Sequence, residues 1–154
     1  MKLLYLSYLN SFKGLSREVW WLALVTLINR AGTMVIPFLS LYLTQDRGFS
    51  LEDVGTIMSC FGLGSLAGTW LGGKLTDVIG YYKVMVWSLF LTGLLFIWLQ
   101  MLESFYAICG GIFVLMVIAD SFRPATYVAM NAYSKHENKT RSVTLIRLAI
   151  NLGF

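Results

Sequence analysis

Arg30, Asp120, Arg123 and Arg147 stand out in this sequence because each is embedded in, or at the edge of, a long apolar run. Arg30 sits near the middle of LVTLINRAGTMVIPFLSLYL, beside Asn29. At the centre of a hydrocarbon slab an arginine costs at least about 2.5–3.5 kcal/mol, so such a group is expected to face a wet cavity or a counter-charge. In IADSFRPATYVAM, Asp120 and Arg123 are spaced to share a helical face. Pro124 lacks the N–H that the carbonyl of Asp120 would otherwise accept, so an acid, a base and a freed carbonyl collect at one level. Arg147 and Asn151 share a face of the last apolar run in the same way. Three arginines against one aspartate make a net-positive lining, suited to an anion, a carboxylate or a zwitterion. This chemistry holds and moves charge. With His136 as the only histidine and few acids, no Ser-His-Asp set, HExxH motif or pair of catalytic carboxylates can be assembled, which points away from an enzyme. His136 has no second ligand nearby, so no metal site is expected.

The elements that must position these groups follow from composition. Of 154 residues, 57% are hydrophobic and 13% charged, about half the charged share of a soluble domain. Mean hydropathy is +0.69. Crossing about 30 Å of hydrocarbon takes roughly 20 apolar residues in a helix. Spans are expected at about 19–43, 54–71, 84–102 and 105–130, with a fifth, at 142–154, cut short. The expectation is an all-α, polytopic transmembrane bundle of four complete spans and a truncated fifth, part of a longer protein. Residues 1–18 read as a cytoplasmic N-terminal segment able to lie on the inner leaflet as an interfacial helix. Residues 19–154 read as a partial N-terminal transmembrane domain.

Loop charge sets the expected topology. Lys2, Lys13, Arg17, Lys74, Lys83, Lys135, Lys139 and Arg141 fall on one side of the membrane and Arg47 on the other, which places the N-terminus in the cytoplasm. The net charge of +4 therefore encodes orientation rather than a nucleic-acid partner. Ser50 with Asp53 forms a capping-box pattern at the start of the second span. Gly64, Gly68 and Gly72 line one face of that span, where small residues let two backbones approach closely in lipid. Pro37 and Pro124 are expected to loosen their helices into hinges. Cys60 and Cys109 lie in separate spans without CxxC spacing and read as packing residues.

The stretch GGKLTDVIGYYK resembles the signature between helices two and three of the major facilitator superfamily, Gly-x-Leu-Ala-Asp-basic-x-Gly-basic-basic. Gly73, Leu75, Asp77 and Gly80 match it in spacing. Val78, Tyr81 and Tyr82 stand where basic residues are usual, leaving Lys74 and Lys83 as the nearby cations. RPATYVAMNAYSKHENKTRSVTLIRLAINLG is similar to the helix-four-to-five segment of the same superfamily, with Pro124, Ala125, Ala129, Arg141 and Gly153 in the expected places. A weaker similarity links FRPATYVAMNAY and INLG to the proton-coupled oligopeptide branch, in which Arg123 would be the base preceding the helix-four proline. The glutamate-rich helix-one motif of that branch has no counterpart in LINRAGTM.

The resemblance implies a secondary active transporter of small solutes, symporter or antiporter, in the inner membrane, with two six-helix halves that alternate access to a midplane site. This chain would hold most of the first half and be inactive without the C-terminal half. A proton or sodium gradient would drive it, and no cofactor is implied. Asn29, Arg30, Asp120, Arg123, Arg147 and Asn151 would serve substrate and translocation. Gly73, Leu75, Asp77, Gly80 and Lys83 would form the gate, with Asp77 contacting basic groups and a helix N-terminus of the other half. The alternative is a membrane-embedded assembly or receptor subunit in which the glycine stripe and the intramembrane charges serve helix packing.

Overall fold

The computed structural model describes residues 14–134 and 136–153, without the side chains of Ile36, Pro37 and His136. Most of the candidate interfacial helix, and any role for the ring of Pro37, lie outside the described residues. Those residues form helices and turns only: α1 (Arg17–Thr33), α2 (Val35–Gln45), α3 (Leu51–Ile79), α4 (Tyr81–Leu99), α5 (Phe105–Asp120), α6 (Phe122–Tyr133), a 3-10 turn (His136–Asn138) and α7 (Lys139–Leu152). The protein is an all-α polytopic helix bundle. Among the described residues, four stretches are long and apolar enough to cross a membrane: Arg17–Gln45, Leu51–Ile79, Tyr81–Leu99 and Phe105–Tyr133. The fourth is the most enclosed, with 50% of its apolar window buried against 19%, 22% and 17% for the others.

Two of these stretches are interrupted shortly before a proline. Pro37 cannot donate to the carbonyl of Thr33, and Pro124 cannot donate to that of Asp120; the helix breaks at Met34 and Ser121 respectively. Hydroxyls bond to nearby carbonyls at both breaks. Thr33 Oγ1 donates to the carbonyl of Arg30 (2.7 Å) and Ser121 Oγ to that of Val117 (2.7 Å). Such local compensation is what lets a bilayer helix tolerate a missing bond.

The chain divides into two compact units, residues 1–34 with 127–154, and residues 35–126. In the first, α1 packs against α7 through Val19, Ala23, Leu145 and Ala149. Ser16 Oγ donates to the carbonyl of Tyr133 (3.1 Å), and Asn138 Nδ2 to that of Gly14 (3.0 Å).

In the second unit, Ser50 and Asp53 form the expected capping box at the start of α3, with Asp53 N–H to Ser50 Oγ at 3.1 Å and Ser50 N–H to Asp53 Oδ2 at 3.3 Å. Helix α3 then runs for 29 residues, well past the apolar window that ends at Leu71. At 1.5 Å per residue it is about 43 Å long, more than the hydrocarbon thickness, so its last turns carry Lys74 and Asp77 beyond the apolar layer. It stops at Gly80, whose φ of +85° is one that side-chain-bearing residues rarely adopt, and α4 starts at the next residue. The core is Leu43, Val54, Ile57, Ile108, Ile112 and Met116. Cys109 packs against it, and its thiol meets that of Cys60 across α3 and α5; both are free.

Candidate functional site

The glycine stripe determines what the buried charges can touch. A Cβ placed on Gly64 would stand 2.6 Å from the carbonyl oxygen of Phe113, one on Gly68 2.5 Å from that of Val117, and one on Gly72 2.5 Å from the Cα of Ser121. Helices α3 and α5 are therefore in backbone contact along the stripe, and its partner is the fourth span of the same chain. At this separation short polar side chains reach across. The Ser121 hydroxyl shares its one proton between the carbonyl of Val117 and, across the helix contact, that of Gly68 (3.1 Å). Ser65, next to Gly64, donates its hydroxyl to Asp120 Oδ2.

Asp120 is the focus of this cluster. Only 4% of it is exposed, and its other oxygen, Oδ1, takes an ion pair from Arg123 Nε at 2.9 Å. Both carboxylate oxygens are thus engaged, one from a neighbouring helix and one from the turn that follows. The Arg123 side chain is 44% exposed, and its ion pair with Asp120 runs through Nε. A half-exposed guanidinium paired at Nε can offer its Nη edge to a planar anion through two parallel hydrogen bonds.

In the first unit, Asn29 and Arg30 are half-buried on the last turns of α1. Gly153, at the end of α7, lies against them so closely that a Cβ there would be 2.5 Å from Arg30 Cβ and 3.0 Å from the carbonyl oxygen of Leu27. Arg147 and Asn151 are exposed, on the side of α7 away from its buried positions (Ser142, Leu145, Ile146, Ala149).

The residues around Asp77 occupy the junction of α3 and α4. Asp77 and Lys83 are exposed, and among the described residues Asp77 makes no hydrogen bond or ion pair. Lys74 Nζ lies 4.0 Å from the centroid of the Trp70 ring, a cation–π contact that leaves the carboxylate unengaged. Leu75 lines a small apolar crevice of about 120 Å³ with Ile79, Val84 and Trp87. Gly73 has open space where a Cβ would be.

Residues 22–154 match the family model of the Major Facilitator Superfamily. The chain belongs to that superfamily. It is 24% identical over 153 residues to the uncharacterized MFS-type transporter YqjV of Bacillus subtilis (strain 168), covering 94% of this chain and 36% of that protein. It is also 24% identical over 87 residues to the MFS-type transporter YceJ of the same organism, covering 56% of this chain and 22% of YceJ. The chain thus spans about a third or less of the length of these relatives. No solved structure matches it significantly.

For a superfamily member, the structure adds two polar groups that sequence reasoning passed over, Ser65 and Ser121. The signal for both was weak but present. Ser65 is a small hydroxyl residue beside the glycine face of α3 and Ser121 one at the break between α5 and α6, and only the register of α3 on α5 brings each to its partner on the other helix.

Proposed function

We propose that this protein is, or is part of, a secondary active transporter that moves small solutes by alternating access, driven by a proton or sodium gradient. It would be a symporter or antiporter of the inner membrane with its N-terminus in the cytoplasm. The observation that carries this reading is the superfamily match over residues 22–154, reinforced by arginines and an aspartate placed inside apolar helices. In this reading Arg30 with Asn29, and the Nη edge of Arg123, attract an anionic or zwitterionic substrate. Asp120 serves by holding Arg123. Arg147 and Asn151 would likewise serve substrate and translocation, and Gly73, Leu75, Asp77, Gly80 and Lys83 form the gate. The absence of an intramolecular partner for Asp77 among the described residues leaves its carboxylate available to a helix N-terminus elsewhere, where a negative charge is stabilised.

The two compact units are joined at Met34–Val35 and Thr126–Tyr127, each close to a proline interruption. This supports Pro37 and Pro124 as hinges. We propose also that residues 1–154 alone carry no flux, since the relatives are about three times as long. The rival reading, a packing subunit, loses its open interface because the glycine stripe is already occupied by α5.

The test uses accessibility and needs no substrate. In a background with Cys60 and Cys109 changed to Ser, a single cysteine is placed at Asn29 and treated with a membrane-impermeant thiol reagent in right-side-out and inside-out vesicles. Alternating access expects labelling from both sides. Protection from both sides would mean a sealed structural pair and would overturn the transporter assignment of this site.

A further inference from the structure

The second unit has a groove at the end of α5 opposite Asp120. Its volume is about 480 Å³, within the range of about 300–1,000 Å³ typical of ligand sites. Val35, Leu39, Phe96 and Leu99 present its apolar wall, the buried Leu43, Ile108 and Ile112 form its floor, and Arg47 and Gln100 lie at its polar end. The ends of the helices fix its level. Helix α2 stops at Gln45 and α4 at Leu99, so Arg47 and Gln100 stand where two membrane-length helices finish. That is the depth of lipid headgroups, while the apolar part of the groove extends toward the acyl region.

Arg47 is held in place by neutral groups. Its Nε donates to Tyr42 Oη at 2.7 Å, one Nη donates to the carbonyl of Gln100 at 3.4 Å, and its Cζ lies 5.6 Å from the centroid of the Tyr42 ring. Among the described residues no carboxylate pairs with it. An oriented cation without a counter-ion, at the head of an apolar trough, complements a molecule with one anionic group and a hydrocarbon tail.

We propose that this groove is a seat for a membrane phospholipid, with the phosphodiester on Arg47 and an acyl chain along Val35, Leu39, Phe96 and Leu99. A soluble phosphate would satisfy Arg47 and leave the apolar lining unfilled. A phospholipid satisfies both, and it is supplied by the bilayer in which such helices sit. The site is distinct in place and chemistry from the Asp120–Arg123 cluster.

The experiment reconstitutes the full-length protein into vesicles of phosphatidylethanolamine and phosphatidylglycerol containing a trace of phosphatidylethanolamine with a photoactivatable diazirine in its acyl chain. Cross-linked peptides are mapped by mass spectrometry. Labelling is expected at Leu39 and Phe96 and is expected to fall about ten-fold in Arg47→Gln, the loss of one hydrogen bond to a charged group. Arg47→Lys should retain most of it. Labelling at Leu66 and Phe90, exposed apolar residues remote from Arg47 in sequence, serves as the folding control and should not change. Equal groove labelling in Arg47→Gln and the parent would overturn the proposal. So would groove labelling below that of Leu66 in every form, which would mean that a protein segment fills the groove. Displacement of the label by millimolar inorganic phosphate would assign Arg47 to a soluble anion instead and would equally overturn it.

Discussion

Substituting Gly68 by Ala tests whether the α3–α5 backbone contact organises the charged cluster. The added methyl would stand 2.5 Å from the carbonyl oxygen of Val117, 2.8 Å from that of Met116 and 2.8 Å from Val117 Cα. All three are backbone atoms, so no side chain can rotate out of the way. Restoring an ordinary separation of about 3.5–4 Å requires the helices to part by roughly 1 Å. Overpacking of this kind costs about 1–3 kcal/mol. Parting the helices also stretches the Ser121-to-Gly68 bond and the Ser65–Asp120 bond, each worth about 0.6 kcal/mol inside a membrane. The total is about 2–4 kcal/mol. Even its lower end is a change of more than ten-fold in the folded-to-unfolded ratio. The assay is thermal unfolding in mild detergent, followed by labelling of Cys60 and Cys109, with Gly62→Ala on the same helix as reference. A Cβ on Gly62 would meet nothing within 4 Å, so its substitution should be neutral or stabilising through helix propensity. Equal melting of the two variants would refute the claim that the stripe is a backbone contact.

The ion pair should respond asymmetrically. Arg123→Gln leaves a buried carboxylate without its cation and should destabilise by about 2–4 kcal/mol. Asp120→Asn leaves a half-exposed guanidinium that water can solvate and should cost less, about 1–2 kcal/mol; the two melts compared side by side check the order. In the first unit, Gly153→Ala should push α7 off α1 at Arg30 and lower the melting temperature, by the same overpacking penalty of about 1–3 kcal/mol. Gly32→Ala, which has open space around it, should not.

Much of this was legible in the sequence because it depends on single-chain periodicity. The spans follow from apolar length, the capping box from Ser50 and Asp53, and the glycine face of α3 from a four-residue repeat. The interruptions at Met34 and Ser121 follow from the missing donors of Pro37 and Pro124. Other features were hidden for identifiable reasons. Hydropathy falls after Leu71 because Lys74 and Asp77 are polar, yet backbone hydrogen bonding is indifferent to polarity and carries α3 on to Ile79. Which face of α7 packs is decided by complementary residues on α1, so the pairing of Arg147 with Asn151 could be read while their exposure could not. Ser65 was invisible because a hydroxyl in a span has several ordinary fates, and its bond to Asp120 exists only through the pairwise register of two helices.

That register alters the charge balance of the candidate path. Counted by residue type alone, three arginines and one aspartate give a strongly positive lining. In the structure Asp120 is neutralised by Arg123 and tied by Ser65, so this pair contributes little net field and a fixed orientation instead. Arg147 stands on the exposed side of α7. Arg30 is half-buried, at a crossing where Gly153 admits no side chain. In the proposed reading, a preference for anions would depend less on the number of arginines than on two groups, Arg30 and the half-exposed guanidinium of Arg123. Of the two, Arg123 is the one whose direction is set by a carboxylate that can be removed without removing the charge. On the same reading, loss of Asp120 should thus weaken substrate selection by releasing Arg123, while unmasking its charge and raising the attraction for anions.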